Sequence, residues 1–484
     1  MIKIVFFLCC FISTTYAQKH DYFFPIGYDN NASPSSDFGG VTIDFNHRPA
    51  KIYTQKKKIN MDGYCASCSD STGQWLFYSN GIEVHTRQHQ IMHNGDSINY
   101  ADGEIWNLYK TIGYPSMDGS LVPFPGRPNQ YLMLHQAITF DYVNELILGS
   151  PFYYSRIDMN ASGGLGSVVA PNQVIRTGNL TDYVVTKHGN GRDWWVIIAE
   201  RSQPKHYVYL VDSTGVHLYN EQDYGPSFPV EEANFFFNIS PDGNTYVRVD
   251  YVNGLRIYDF DRCSGTLSNL RIFPFYGQFN EGTAITNVEF SPDSRLLYLN
   301  SFSTVMQIDM SAPEPYTTLD TIAQYDGFAT PQPFATRFMR SALKPDGKIY
   351  YSHTNSTLAM HVIHRPNSFG LSSDVEQHGL HTLKYYFLTM CRTPNYRLGK
   401  WEGSPCDSIQ LHHPPEGFSN TLYNDRNSNV EKKSEKYTVW PAIGQKKEKK
   451  GRGIPMNSTA YLLYQDGVIP KNIEKKLKEY HENE

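Results

Sequence analysis

Histidines recur at every fourth position in HTRQHQIMHN, at His85, His89 and His93. On a helix these three share a face, and neighbouring imidazoles there could grip one metal ion. On a strand they also share a face, but each gap is then roughly 13 Å at about 3.3 Å per residue, which no single ion bridges. The flanking residues favour the second case. WLFYSNG reads as a strand running into a turn and IEVHT as the next strand, so the imidazoles are drawn apart and no metal is assigned to them. Cys65-Ala-Ser-Cys68 has the spacing of a redox pair or of half a zinc site. A redox pair takes its low pKa from the start of a helix, and a strand hairpin follows here instead. A structural zinc needs two further ligands, and there is no second Cys-x-x-Cys. Two thiols or a local disulfide are expected for Cys65 and Cys68. Cys391 with Cys406 would close a short loop, although connectivity is not readable from spacing.

Other chemistry is sparse. GGLGS (163–167) is a glycine-rich turn with no helix after it to cradle a phosphate. DFDRCSG (259–265) lacks the ligand spacing of a calcium loop, and Glu231-Glu232 on a strand point to opposite faces. No Gly-x-Ser-x-Gly elbow occurs. Trp194, Trp195, Tyr153 and Tyr154 could form a floor on which a sugar stacks, against the alternative that they fill space between sheets. With no convergent catalytic set, the expectation is a protein that is not an enzyme and uses no cofactor.

The elements that must position these residues are strands. Aromatics make up 14 % of the chain, led by 35 Tyr and 27 Phe, and 36 Gly with 28 Pro favour strands and turns over helices. FFFNISPDGNTYVRVD from 235, ITNVEFSPDSRLLYLN from 285 and RSALKPDGKIYYSH from 340 echo one another. Each is an apolar strand, a tight turn and a second alternating strand. Pro241, Pro292 and Pro345 fix φ in the turns, Asp242, Asp293 and Asp346 cap the backbone, and Gly243 and Gly347 accept positive φ. Hairpins without the proline recur at 68–84 and 188–200, and more loosely at 125–136. A four-stranded hairpin sheet repeated every 40–50 residues or so is the mark of an all-β propeller, here with seven blades favoured over six or eight.

The chain opens MIKIVFFLCCFISTTYAQ: a positive Lys3, an apolar run Ile4–Ile12, and small residues before Gln18. This reads as a cleaved secretory leader, its apolar run too short to span a bilayer. The expected organisation is therefore a leader over 1–17, an N-terminal extension over 18–39, the propeller over 40–410, and a polar lysine-rich tail over 411–484 with a short terminal helix. A net charge of −5 provides no electrostatic attraction for nucleic acid. Outside the leader five cysteines remain, an odd number.

SDSTGQWLFYSNGIEV, HQIMHNGD, TKHGNGRDWWVI, IYDFDRCSGTLSN, DVEQHGL and PNYRLGKWEGSPCDS, in that order over about 40–408, resemble exported WD-like β-propeller proteins of bacteria with type IX secretion. The resemblance implies a propeller, export to the cell surface or medium, and little about activity, since that family is non-enzymatic or uncharacterised. Two departures stand out. Only YTVWPAIGQ (437–445) faintly matches the family's C-terminal sorting module, and Ser373 stands where a cysteine is usual, so disulfide pairing cannot be copied. The leading expectation is an exported, non-catalytic disc that binds a protein or glycan and does not span a membrane. The rivals are a glycan hydrolase or lyase working at the axial mouth, and a structural component of the cell envelope or gliding apparatus.

Overall fold

A computed structural model describes residues 18–407, apart from 30–32, 34, 112, 115–118, 142–145, 229–234, 251–252, 275–284, 331–332 and 354–355, together with 437–440. The secretory leader and the terminal helix expected from the sequence lie outside these residues.

Seven antiparallel sheets surround one axis. Their innermost strands, in blade order, are Phe23–Ile26, Ala66–Ser69, Ser120–Pro123, Leu180–Lys187, Phe235–Ile239, Ile285–Phe290 and Ser341–Leu343. Blades 3, 4, 6 and 7 have four strands each, and blades 1 and 2 have three. The three proline turns join the first and second strands of blades 5, 6 and 7. In blade 5 the Gly243 amide donates to Ser240 O at 2.7 Å and the Asn244 amide to Asp242 Oδ1 at 3.0 Å. The residue after Asp takes a left-handed φ in all three turns: +76° at Gly243, +63° at Ser294 and +81° at Gly347. Such a turn followed by a left-handed residue matches the twist of the flanking strands, which explains why Pro, Asp and Gly or Ser recur at these hairpins.

Neither face of a blade is stable alone; each is covered by its neighbour. Phe236, Val247 and Ile257 of blade 5 pack on Val288, Leu297 and Ile308 of blade 6, and equivalent clusters join the other blades. The space between radial sheets widens outward, and large flat rings fill it. This accounts for the tyrosine content: Tyr64, Tyr78, Tyr246, Tyr258, Tyr298 and Tyr351 are all fully buried.

The ring closes between the two ends of the chain. Blade 1 uses Phe23–Ile26, Val41–Asp44 and Lys51–Thr54, so the propeller begins at Phe23, inside the stretch expected to be an extension. Phe24, Ile26 and Val41 pack directly on Ala342, Met360 and Tyr386 of blade 7. Two further features depart from the sequence reading. A short helix, Gly103–Tyr109, is capped by Asp102 and buries Ile105, Trp106 and Tyr109. Within the presumed tail, Thr438–Val439 adds a parallel fifth strand to blade 5 beside Arg271 and Ile272, and Trp440 is buried between Phe273 and Tyr316. No helix among the described residues is long and apolar enough to cross a membrane.

Several histidines are locked in this core. His135 contacts Asn99 Oδ1 at 2.6 Å and Ser155 Oγ at 2.8 Å, and burial depresses its pKa to about 3. Burial likewise lowers His353 to about 4. A histidine whose folded pKa lies below its ordinary 6.5 contributes full stability above 6.5 and loses it as pH falls toward the folded value. Unfolding by urea should therefore become easier between pH 6.5 and 4, and the His135→Gln variant should show a shallower pH slope, by up to about 1.4 kcal/mol per pH unit. An unchanged slope would show that His135 is not held neutral.

Candidate axial site

The residues singled out in the sequence do not meet at one place. His85 Nε2 lies 2.7 Å from Glu83, His89 Nδ1 2.9 Å from the Tyr78 hydroxyl, and His93 Nδ1 2.9 Å from Ser167 Oγ. Each imidazole is thus committed to a different partner. Trp194 and Trp195 are buried between blades, with the Trp195 indole N–H donating to Arg262 O at 2.7 Å. Tyr153 packs on His135, and Tyr154 against the cluster between blades 3 and 4. Trp194, Trp195 and Tyr153 are buried in packing and Tyr154 is half-buried, so the four do not meet as one exposed floor. The disulfides also differ from expectation. Cys65 pairs with Cys391 and Cys263 with Cys406, while Cys68 is a buried free thiol whose pKa burial raises. Local pairing was the natural reading because sequence distance was the only distance available; the fold brings together cysteines 326 and 143 residues apart.

Both disulfides hold one segment, residues 387–407, and its path defines the site. Leu388 O accepts from Ser352 Oγ at 3.2 Å, and Cys391 O accepts from Lys344 Nζ at 2.5 Å, both on blade 7. Cys391 is bonded to Cys65 at the start of the inner strand of blade 2. The next residue, Arg392, donates to Phe237 O of blade 5 at 2.8 Å and to Val288 O of blade 6 at 3.3 Å, and also to Asn287 Oδ1. Adjacent residues that touch opposite sides of a ring must lie on its axis. The channel of the propeller is occupied by its own chain.

Beyond Arg392 the segment turns outward across the face that carries the proline turns. Asn395 Nδ2 donates to Pro241 O at 2.8 Å, the Tyr396 hydroxyl to Leu121 O of blade 3, and the Arg397 guanidinium grips Asp21 at 2.9 and 2.7 Å. Arg262 donates to Gly399 O at 2.7 Å before Cys406 reaches Cys263. Gly189 lies directly beneath that disulfide, where a Cβ would collide with Cys406 Sγ. This is the physical reason for glycine in HGNG.

Between the axial segment and the inner strands is a cavity of about 310 Å³. Ser120, Thr186, Asn238, Glu289, Lys344 and Thr393 contribute to its wall, with Asn395, so blades 3 to 7 and the segment all face it. Glu289 is its buried acid. Its Oε1 accepts from Asn238 Nδ2 at 2.8 Å and the Phe290 amide at 2.9 Å, and its Oε2 from the Leu343 amide at 3.2 Å, tying three blades together. Burial raises its pKa, opposed by Arg392 and those hydrogen bonds. Nothing in the local sequence around Glu289 or Arg392 signals this meeting, because the two are 103 positions apart and become neighbours only when the ring closes.

No protein-family model matches this chain, and no curated protein matches it. Solved structures do. A functionally unknown protein from Desulfotomaculum acetoxidans is 15% identical, with 76% of this chain and 99% of that one covered and a TM-score of 0.37. A putative 6-phosphogluconolactonase from Bacteroides uniformis is 12% identical, covering 71% and 92%, with a TM-score of 0.41. A periplasmic gluconolactonase from Pseudomonas aeruginosa is 13% identical, covering 59% and 77%, with a TM-score of 0.37. The expectation that this chain is not an enzyme is corrected here, since it is matched by structures described as lactonases and the architecture does not exclude catalysis.

Removing the Arg392 guanidinium leaves the carbonyls of Phe237 and Val288 without that donor and Glu289 without its nearest opposing charge. Arg392→Ala should lower unfolding stability by about 2–4 kcal/mol in denaturant titration. A loss below 0.5 kcal/mol or so would mean that the axial contacts contribute nothing net.

Proposed function

We propose that this propeller acts through its axial cavity, which receives a small polar molecule bearing several hydroxyl groups. The observation that supports this reading is the convergence of Glu289, Lys344 and Asn395, from two blades and the axial segment, on one concave space. Its volume lies at the lower end of the roughly 300–1,000 Å³ common for ligand sites, which suits one sugar-sized molecule better than a protein surface. Amide and hydroxyl groups from Asn238, Thr186 and Thr393 provide donors and acceptors, and the cations Lys344, Arg392 and Arg397 line the space beside Asp21 and Glu289. The apolar leader expected over 1–17 would place this binding outside the cytoplasm.

A second reading is favoured by Glu289 alone. A buried carboxyl with a raised pKa is the kind of group that gives or takes a proton during hydrolysis. Hydrolysis of a bound sugar ester or lactone is the reaction such a group would serve.

Isothermal titration of the full chain with aldonic acids, their lactones and free hexoses tests both readings. Saturable binding should be weakened at least tenfold by Thr393→Trp, which fills the cavity from the axial segment. Turnover of a lactone abolished in Glu289→Gln would support hydrolysis. Absence of binding across the panel, or binding indifferent to Thr393→Trp, would overturn the axial reading.

A further inference from the structure

Five of the six tryptophans are buried, from Trp195 at 0 % exposed to Trp75 at 7 %. The sixth, Trp401, is 43 % exposed. It stands on the rim of the ring, on the same segment as Asn395 but outside the axial cavity, beside a second cavity of about 280 Å³ lined also by Tyr219, Asp261, Glu402 and the Cys263–Cys406 disulfide. The ring of Tyr219 is braced edge-on by Trp195 at 4.8 Å. Neither the Trp401 indole N–H nor the Tyr219 hydroxyl has a hydrogen-bond partner among the described residues.

The platform is held rigidly. The Trp401 amide donates to Gly189 O at 2.7 Å, and its carbonyl accepts from Ser404 Oγ at 2.6 Å and the Ser404 amide at 3.1 Å. The disulfide pins the loop two residues later. The backbone that carries the indole is thus fixed before a ligand arrives, which reduces the ordering that binding requires.

We propose that this rim cavity is a glycan-binding site that accepts a single pyranose unit of an oligosaccharide. The C–H face of the sugar would lie on the Trp401 indole, as apolar surface seeks an aromatic face. Its hydroxyls would meet the free indole N–H, the Tyr219 hydroxyl and the outer oxygen of Asp261, whose Oδ1 already accepts from the Cys263 and Ser264 amides. Charge argues for a neutral sugar over a cation. Glu402 is paired with Lys400 at 3.0 Å, and Asp261 is partly satisfied by its turn, so little uncompensated negative charge faces the cavity. The site does not depend on the axial reading, since no residue is shared between the two cavities.

Acrylamide quenching of tryptophan fluorescence in the full chain provides the test, because Trp401 is the accessible indole. Cellotetraose, chitotetraose, xylotetraose and mannotriose are the probes. At least one should protect Trp401 fluorescence in a saturable way, and isothermal titration with that sugar should show affinity lost more than tenfold in Trp401→Ala, partly kept in Trp401→Phe, and unchanged in Thr393→Trp. Tyr219→Phe, which removes only the hydroxyl and keeps the ring against Trp195, serves as a second variant and should weaken binding a few-fold. A flat response to all four sugars, binding by titration that survives Trp401→Ala, or protection by tetramethylammonium in place of sugars would overturn the proposal.

Discussion

A ring of seven sheets has an unsatisfied centre, and the rest of this structure depends on how that centre is filled. Inner strands splay too far apart to hydrogen-bond to one another across the axis, and their axial-facing carbonyls must find partners elsewhere. Here the chain threads its own C-terminal segment down the axis and aims Arg392 at the backbones of blades 5 and 6. A guanidinium suits the task because its planar donors can serve several carbonyls at once. Glu289 does the complementary work by accepting from blades 5, 6 and 7. The two side chains make the ring a closed object, not a row of stacked sheets.

The same segment shapes the chemistry. By occupying the channel it narrows an open mouth into a half-open cavity with walls from five blades, and it carries Thr393 and Asn395 into that wall. Its far end, tied by Cys406 to Cys263, erects a second concavity on the rim. The disulfides thus hold the one stretch that has no sheet of its own. Closing loops this long restricts the unfolded chain strongly, by about 5 to 6 kcal/mol each on a chain-entropy account.

The aromatic residues sort by the same geometry. Radial blades leave wedges that tyrosine and tryptophan fill, which is why Trp194 and Trp195, conspicuous in the sequence, are structural. Their adjacency in WW is what a strand buried on both faces produces. Trp401 sits in a loop of glycine, proline and charged residues and draws no attention in one dimension, yet among the described residues it is the indole left in solvent.

Hairpin echoes at 235, 285 and 340 were sufficient to establish the propeller, because turn type depends on φ preferences of Pro, Asp and Gly that act locally. Strand positions followed for the same reason: alternation and turns are short-range properties. The cysteine pairs, the path of residues 387–407 and the meeting of Glu289 with Arg392 were decided only in three dimensions. Each is a contact between distant positions created by ring closure, and closure is a property of the whole set of blades that no single blade encodes.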